Sequence, residues 1–188
     1  DAVLNWDKIN WLNPSDIKLA DDERTIIVYG RDHKVVAQFR PRLVVDPTAT
    51  GSQRTSDFCA IAVGGVYKNH LYVIDFWMQK AKPEVWLDQM YSMADKWNIF
   101  NPVIEMVGGF KILEYTITNM WMTQPEKYRP LSIKSYNPPT NTGEGKLERI
   151  ETILSPLIHN ELLHLPLHCS RNKDLKKQFQ LFGKETTK

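Results

Sequence analysis

Two carboxylates in this chain stand where carboxylates are costly. Asp46 closes the apolar run Leu43-Val44-Val45, and Glu105 interrupts the run Val103-Ile104-Met106-Val107. An acid in such surroundings has to be ion-paired, protonated or bound to a cation. One isolated case reads as a structural acid. Two of them read as oxygen ligands held on rigid strands, the donor type that Mg²⁺ and Mn²⁺ take together with retained waters. If the strands that carry them are neighbours, both acids fall near strand ends on one side of a sheet, where open α/β sheets place their sites. Asp57 is either an auxiliary acid across from Asp46 or a turn residue capping the following strand. Asp75 also interrupts an apolar strand, and it reads as structural.

Basic residues cluster in two places. Lys127, Arg129, Lys134, Lys146 and Arg149 flank the segment Asn137–Gly145, and Arg171, Lys173, Lys176, Lys177, Lys184 and Lys188 crowd the end of the chain. Such clusters suit phosphate contact, and they equally suit a solvated helix face. Lys146 and Arg149 are the preferred phosphate contacts, being next to the loop. His159, His164, His168 and Cys169 fit no closed zinc spacing, and Leu163, Leu165 and Leu167 alternate with the histidines as on a half-buried strand, which disfavours structural zinc. Neither Gly143-Glu144-Gly145-Lys146-Leu147 nor Gly183-Lys184-Glu185 has the glycine spacing and hydroxyl of a P-loop. Ser56 and Ser155 lack a neighbouring base motif, so nothing supports a serine hydrolase.

The elements that position these groups follow from periodicity. Leu43–Asp46, Phe58–Tyr67 and Leu71–Met78 are dense β-type runs separated by turn signals, and they predict a meander. Pro83 can open a helix in which Trp86, Met90, Met93 and Trp97 share one face. Val103–Val107 is a short buried strand closed by Gly108-Gly109, and Phe110, Leu113, Ile117 and Met120 stripe a second helix. Leu131–Tyr136 is a fifth strand, and Asn137–Gly145 has the composition of an exposed loop. Leu147, Ile150, Leu154 and Leu157 make a third helix; Leu162–Leu167 is an extended piece that Pro166 argues to the edge, and a polar helix starts near Asn172. Residues 1–42, rich in both acids and bases, read as a lead-in segment packed on a body formed by residues 43–188.

Composition bounds the whole. With 188 residues, 42% hydrophobic and 11% aromatic, the chain can bury one substantial core, and long disorder is excluded. Lys and Arg total 24 against 22 Asp and Glu, so any nucleic-acid surface has to be local. No apolar stretch is long enough for a membrane span, and no leader pattern opens the chain. Two cysteines make no disulfide framework and point to a reducing cytoplasm. A start at Asp1 without Met and a polar finish suggest an excised piece of a longer protein.

Several segments together resemble the nuclease domain of tailed-phage large terminase subunits. Leu43-Val44-Val45-Asp46-Pro47-Thr48-Ala49, followed by Ser56–Val66, is similar to that family's first motif, and His70–Trp77 to its next strand. Pro102-Val103-Ile104-Glu105 with Gly108-Gly109-Phe110 resembles its second acidic motif, and Gly145–Ile150 its Lys-x-x-Arg-Ile helix. The resemblance runs in order over residues 43–183. It implies an RNase H-like α/β fold, a five-stranded mixed sheet with helices on both faces. It also implies two-metal cleavage of concatemeric double-stranded DNA during genome packaging, with two Mg²⁺ or Mn²⁺ ions bridged by Asp46, one of them also held by Glu105, and with Lys146 and Arg149 toward DNA. The implied partners are an upstream packaging ATPase domain, the portal and the small terminase subunit, with no membrane, in the host cytoplasm. The family carries a third acid on a C-terminal helix just past the segment resembling Gln178–Phe182, and this sequence reaches Lys188 without one. Two further readings stay open: another RNase H-like nuclease of resolvase or transposase type, and a non-catalytic module on the same frame that binds DNA or docks the motor.

Overall fold

The computed structural model describes residues 4–47, 58–105, 110–137 and 145–182. Ten strands and four helices follow one another there: β1 Asn10–Leu12, β2 Ile17–Leu19, β3 Ile26–Tyr29, β4 Val35–Phe39, β5 Arg42–Asp46, β6 Cys59–Tyr67, β7 His70–Gln79, α1 Pro83–Lys96, β8 Val103–Glu105, α2 Phe110–Thr123, β9 Lys134–Tyr136, α3 Lys146–His159, β10 Leu163–Pro166 and α4 Lys173–Leu181. The fold is α/β with a large mixed sheet. Its strand order is β1-β10-β7-β6-β5-β8-β9, and β2-β3-β4 form a separate three-stranded antiparallel sheet.

The meander β5-β6-β7 is antiparallel throughout, as the three consecutive apolar runs predict. Strands β8 and β9 then add in parallel on the far side of β5, and β10 and β1 add in parallel on the far side of β7. Parallel neighbours need crossovers, and α2 and α3 lie in the connections that supply them. Each face has its own core. Leu43, Val45, Ile61, Val63 and Ile104 meet Trp86, Met90 and Met93 of α1 and Ile117 of α2. The opposite face packs Val73, Phe76, Met78, Leu163 and Leu165 against Leu154, Leu157 and Ile158 of α3 and Leu175 and Phe179 of α4.

Two expectations need correction. The large sheet has seven strands rather than five, because the stretch read as a lead-in donates β1, and Leu162–Leu167 supplies β10. Nor is β10 an edge: it lies between β1 and β7, and Pro166 is tolerated because it is the last residue of the strand. The small sheet joins the first core through Ile26, Val28, Ala37 and Phe39, with Phe39 stacked on Tyr72 at 5.7 Å between ring centroids. Glycine permits this docking, since a Cβ on Gly65 would sit 2.3 Å from the Phe39 ring.

A bulge re-aims one acid. Val63 pairs with Asp75 and Gly64 with Val73, so Ile74 is the extra residue on β7. Past the bulge, Asp75 opposes the buried Val63 and faces α1, where Lys96 Nζ and Trp97 Nε1 each donate to Oδ2 at 2.8 Å. Asp75 thus ties the end of α1 to the sheet, in line with its structural reading. The bulge requires glycine opposite it, since a Cβ at Gly64 would lie 2.3 Å from the Tyr72 carbonyl oxygen.

Candidate metal centre

Strands β5 and β8 run parallel with Val44 beside Val103 and Val45 beside Ile104. One step further along that register sets Asp46 beside Glu105, the last residue of each strand. Their Cα atoms are then about 5 Å apart, the spacing of neighbouring strands, and both side chains leave the same face. Burial alternates accordingly: Leu43, Val45 and Ile104 are fully buried under α1 and α2, whereas Asp46 and Glu105 are half-buried on the other face. The acids that looked expensive in the sequence therefore do not enter the main core. They sit at the carboxyl ends of adjacent parallel strands, partly open to water.

The same registers trace a row across the sheet. Met78 pairs with Ala60, Ala60 with Asp46, and Glu105 with Tyr136. The row behind it reads Phe76, Ala62, Val44, Val103 and Lys134. Small residues on β6 thus leave room beside Asp46, while the β7 side of the row is covered by the second core. What the pair offers chemically is two hard oxygen donors on backbone fixed by ladders on both sides, next to Ala60 rather than a bulky side chain. That donor set fits an ion that prefers carboxylate oxygens and keeps several waters. Among the described residues no group of three or more His, Cys, Asp and Glu side chains could hold a metal ion, so the pair is a partial ligand set.

The candidate cations separate clearly. Lys127 is held by Asp88 at 3.1 Å, with Tyr128 hydrogen-bonded to the same carboxylate, which these donors hold below its usual range. Arg129 donates to the backbone oxygens of Ala94 and Ile99 at 2.7 and 2.9 Å, pairs with Asp95 at 2.7 Å, and lies 4.1 Å over the Phe100 ring. These two are structural ties between α1 and the chain leading to β9. Lys134 is different, because its register with Val103 carries it onto the acid-bearing face. Lys146 and Arg149 lie in the opening turns of α3, with Arg149 half-buried and the Lys146 side chain outside the described residues. Asp57, Lys184, Glu185, Lys188 and the loop residues 138–144 also lie outside them.

The histidines go elsewhere. His164 Nε2 and His70 Nδ1 share a hydrogen bond of 2.9 Å, and Tyr72 stacks on His164 at 4.2 Å. Burial and the neighbouring His70 push the His164 pKa down to about 4. His168 Nε2 meets the Phe76 carbonyl oxygen at 3.0 Å, and Cys169 is a buried thiol whose pKa burial pushes up to about 12. Sequence reasoning did not single out Tyr136 or the alanine floor of β6. The alternation of Lys134 and Tyr136 was visible, but their place beside Glu105 depends on a pairing between strands distant in the sequence, Val103 with Lys134 and Glu105 with Tyr136. Among the described residues no helix is long and apolar enough to cross a membrane. The chain matches no protein-family model and no curated protein.

Proposed function

We propose that the chain is a divalent-metal-dependent DNA endonuclease domain of RNase H-like type, corresponding to the nuclease part of a phage large terminase. The observation that carries this reading is the register placing Asp46 beside Glu105 at the ends of two parallel strands. Further support comes from the five strands β7-β6-β5-β8-β9, which form a mixed sheet with helices on both faces, the arrangement the resemblance implies. Strands β1 and β10 are additions on the β7 side.

Asp46 and Glu105 would hold Mg²⁺ or Mn²⁺ through their carboxylate oxygens. When bound, such ions supply an activated water and charge stabilisation at the leaving oxygen of a phosphodiester. The chain's own contribution is positional: ladders on both sides fix the backbone of β5, and Ala60 keeps the space beside Asp46 clear. Lys146 and Arg149 at the start of α3 are assigned to DNA contact, since α3 belongs to the layer over the acid-bearing face. An upstream ATPase domain, a portal and a small subunit are the partners this reading assigns.

The test is nicking and linearisation of supercoiled plasmid with Mn²⁺ or Mg²⁺, comparing wild type with Asp46→Asn and Glu105→Gln. Metal-dependent cutting lost in both variants supports the reading. Cutting that survives Asp46→Asn removes it, and no cutting even by a chain extended past Lys188 turns the account toward a binding or docking module.

A further inference from the structure

Strand β9 is the last strand of the large sheet, and its three residues are all exposed. Its pairing with β8 is parallel, with Lys134 beside Val103 and Tyr136 beside Glu105. Residues paired in this way share a face, so Lys134 and Tyr136 join the face of Asp46 and Glu105. Tyr136 is the direct neighbour of Glu105 and is 49% exposed. Lys134 lies two residues back, about 8 Å from Glu105 between Cα atoms, a distance that a lysine side chain spans. Among the described residues neither side chain is engaged in a hydrogen bond or ion pair, in contrast to Lys127 and Arg129, whose charges are committed to Asp88 and Asp95.

A face that presents two carboxylates repels a polyanion unless cations stand beside them. Lys134 supplies a fixed positive charge one strand over from Glu105, and Tyr136 supplies a hydroxyl donor at the end of the row that holds the acids. We infer that Lys134 and Tyr136 form a phosphate-docking edge that seats the backbone of double-stranded DNA across the ends of β8 and β9, Lys134 by charge and Tyr136 by a hydrogen bond. This rests on the nuclease reading for the identity of the ligand, and it names positioning residues for that same site. A lysine on an edge strand also deters strand pairing, but that role requires no hydroxyl neighbour and leaves DNA affinity untouched.

The test is fluorescence anisotropy of a labelled duplex of about 30 base pairs, bound in EDTA between 50 and 200 mM salt. Each phosphate neutralised contributes about 0.9 to the slope of log affinity against log salt. Lys134→Ala should therefore weaken binding severalfold and reduce the magnitude of that slope by about one, with Lys134→Glu weakening it further. Tyr136→Phe should weaken binding about two- to fivefold while leaving the slope alone, because a hydroxyl releases no counterion. Lys127→Ala, whose charge is already paired, should leave the slope unchanged. An unchanged slope in both Lys134 variants overturns the inference, as does failure of the wild type to bind duplex at all. Both side chains are exposed, and near-UV circular dichroism of each variant checks that the fold is intact. The two levels fail separately. If Asp46→Asn abolishes cutting while the Lys134 variants bind as wild type, the docking edge falls and the nuclease stands. If Asp46→Asn cuts normally while Lys134→Ala loses its slope unit, the nuclease assignment falls and the docking edge stands.

Discussion

Replacing Arg129 should cost stability and leave nucleic-acid affinity alone, although the sequence groups it with the basic cluster around residues 137–145. Its guanidinium is the tie between the end of α1 and the approach to β9: Nη2 donates to Ala94 O at 2.7 Å and to Ile99 O at 2.9 Å, Nη1 to Asn98 Oδ1 at 3.2 Å, and Nε lies 2.7 Å from Asp95 Oδ1. Hydrogen bonds from a charged donor contribute about 1.5–3 kcal/mol each. In Arg129→Ala the Ala94 oxygen keeps the Ile99 N–H at 2.8 Å, so the main loss falls on Ile99 O. The Asp95 carboxylate is 50% exposed, and that pair adds at most about 0.5 kcal/mol. Stacking over Phe100 adds about 0.5–1 kcal/mol. The total for Arg129→Ala is about 3 kcal/mol. Arg129→Lys keeps the charge but cannot fork to two carbonyls or stack as a plane, and it should lose about 1.5–2 kcal/mol. Urea unfolding monitored by tryptophan fluorescence measures both, and the midpoint should fall with the slope unchanged. A loss below about 1 kcal/mol in the alanine variant refutes the tie. So does a fall in the salt slope of DNA binding with stability intact.

Two further outcomes follow from the packing. Gly64→Ala places a Cβ 2.3 Å from a backbone oxygen that cannot rotate away, and should destabilise by about 2–3 kcal/mol in the same urea assay, whereas an exposed surface glycine would not. The depressed His164 pKa gives a defined pH dependence. Above its ordinary 6.5 both folded and unfolded chains hold the ring neutral and its contribution is full; as pH falls from 6.5 toward about 4 the unfolded chain takes up a proton that the folded one refuses, and stability is lost. That gap is worth at most about 3 kcal/mol, and the partial exposure of the ring reduces it to about 2. The difference between wild-type and His164→Gln stability curves isolates this contribution from the carboxylates, and a difference flat across pH 4–7 would sink it.

Legibility in the sequence tracked how local each cause was. Strands β5, β6 and β7 were readable because their alternation is strong and their connections short, and α1 because Trp86, Met90 and Met93 do line its buried face. The two acids stood out because apolar strand neighbours make a carboxylate conspicuous. Strands β1 to β4 were not readable. Each is three to five residues long with charged turns between, and they hold through contacts such as Phe39 on Tyr72 that no local pattern encodes. Pro166 misled for a related reason: its penalty vanishes at a strand's last position, and the boundary of β10 is set by β1 pairing beside it. The place of Lys134 on the acid-bearing face likewise came only with the β8–β9 register, which also separated it from Lys127 and Arg129.

The most direct measurement of the central claim is isothermal titration of Mn²⁺ into wild type, Asp46→Asn and Glu105→Gln at neutral pH. If the two carboxylates at the ends of β5 and β8 share one site, the wild type gives a binding heat and each variant loses at least tenfold in affinity. Equal heats in all three proteins would contradict it.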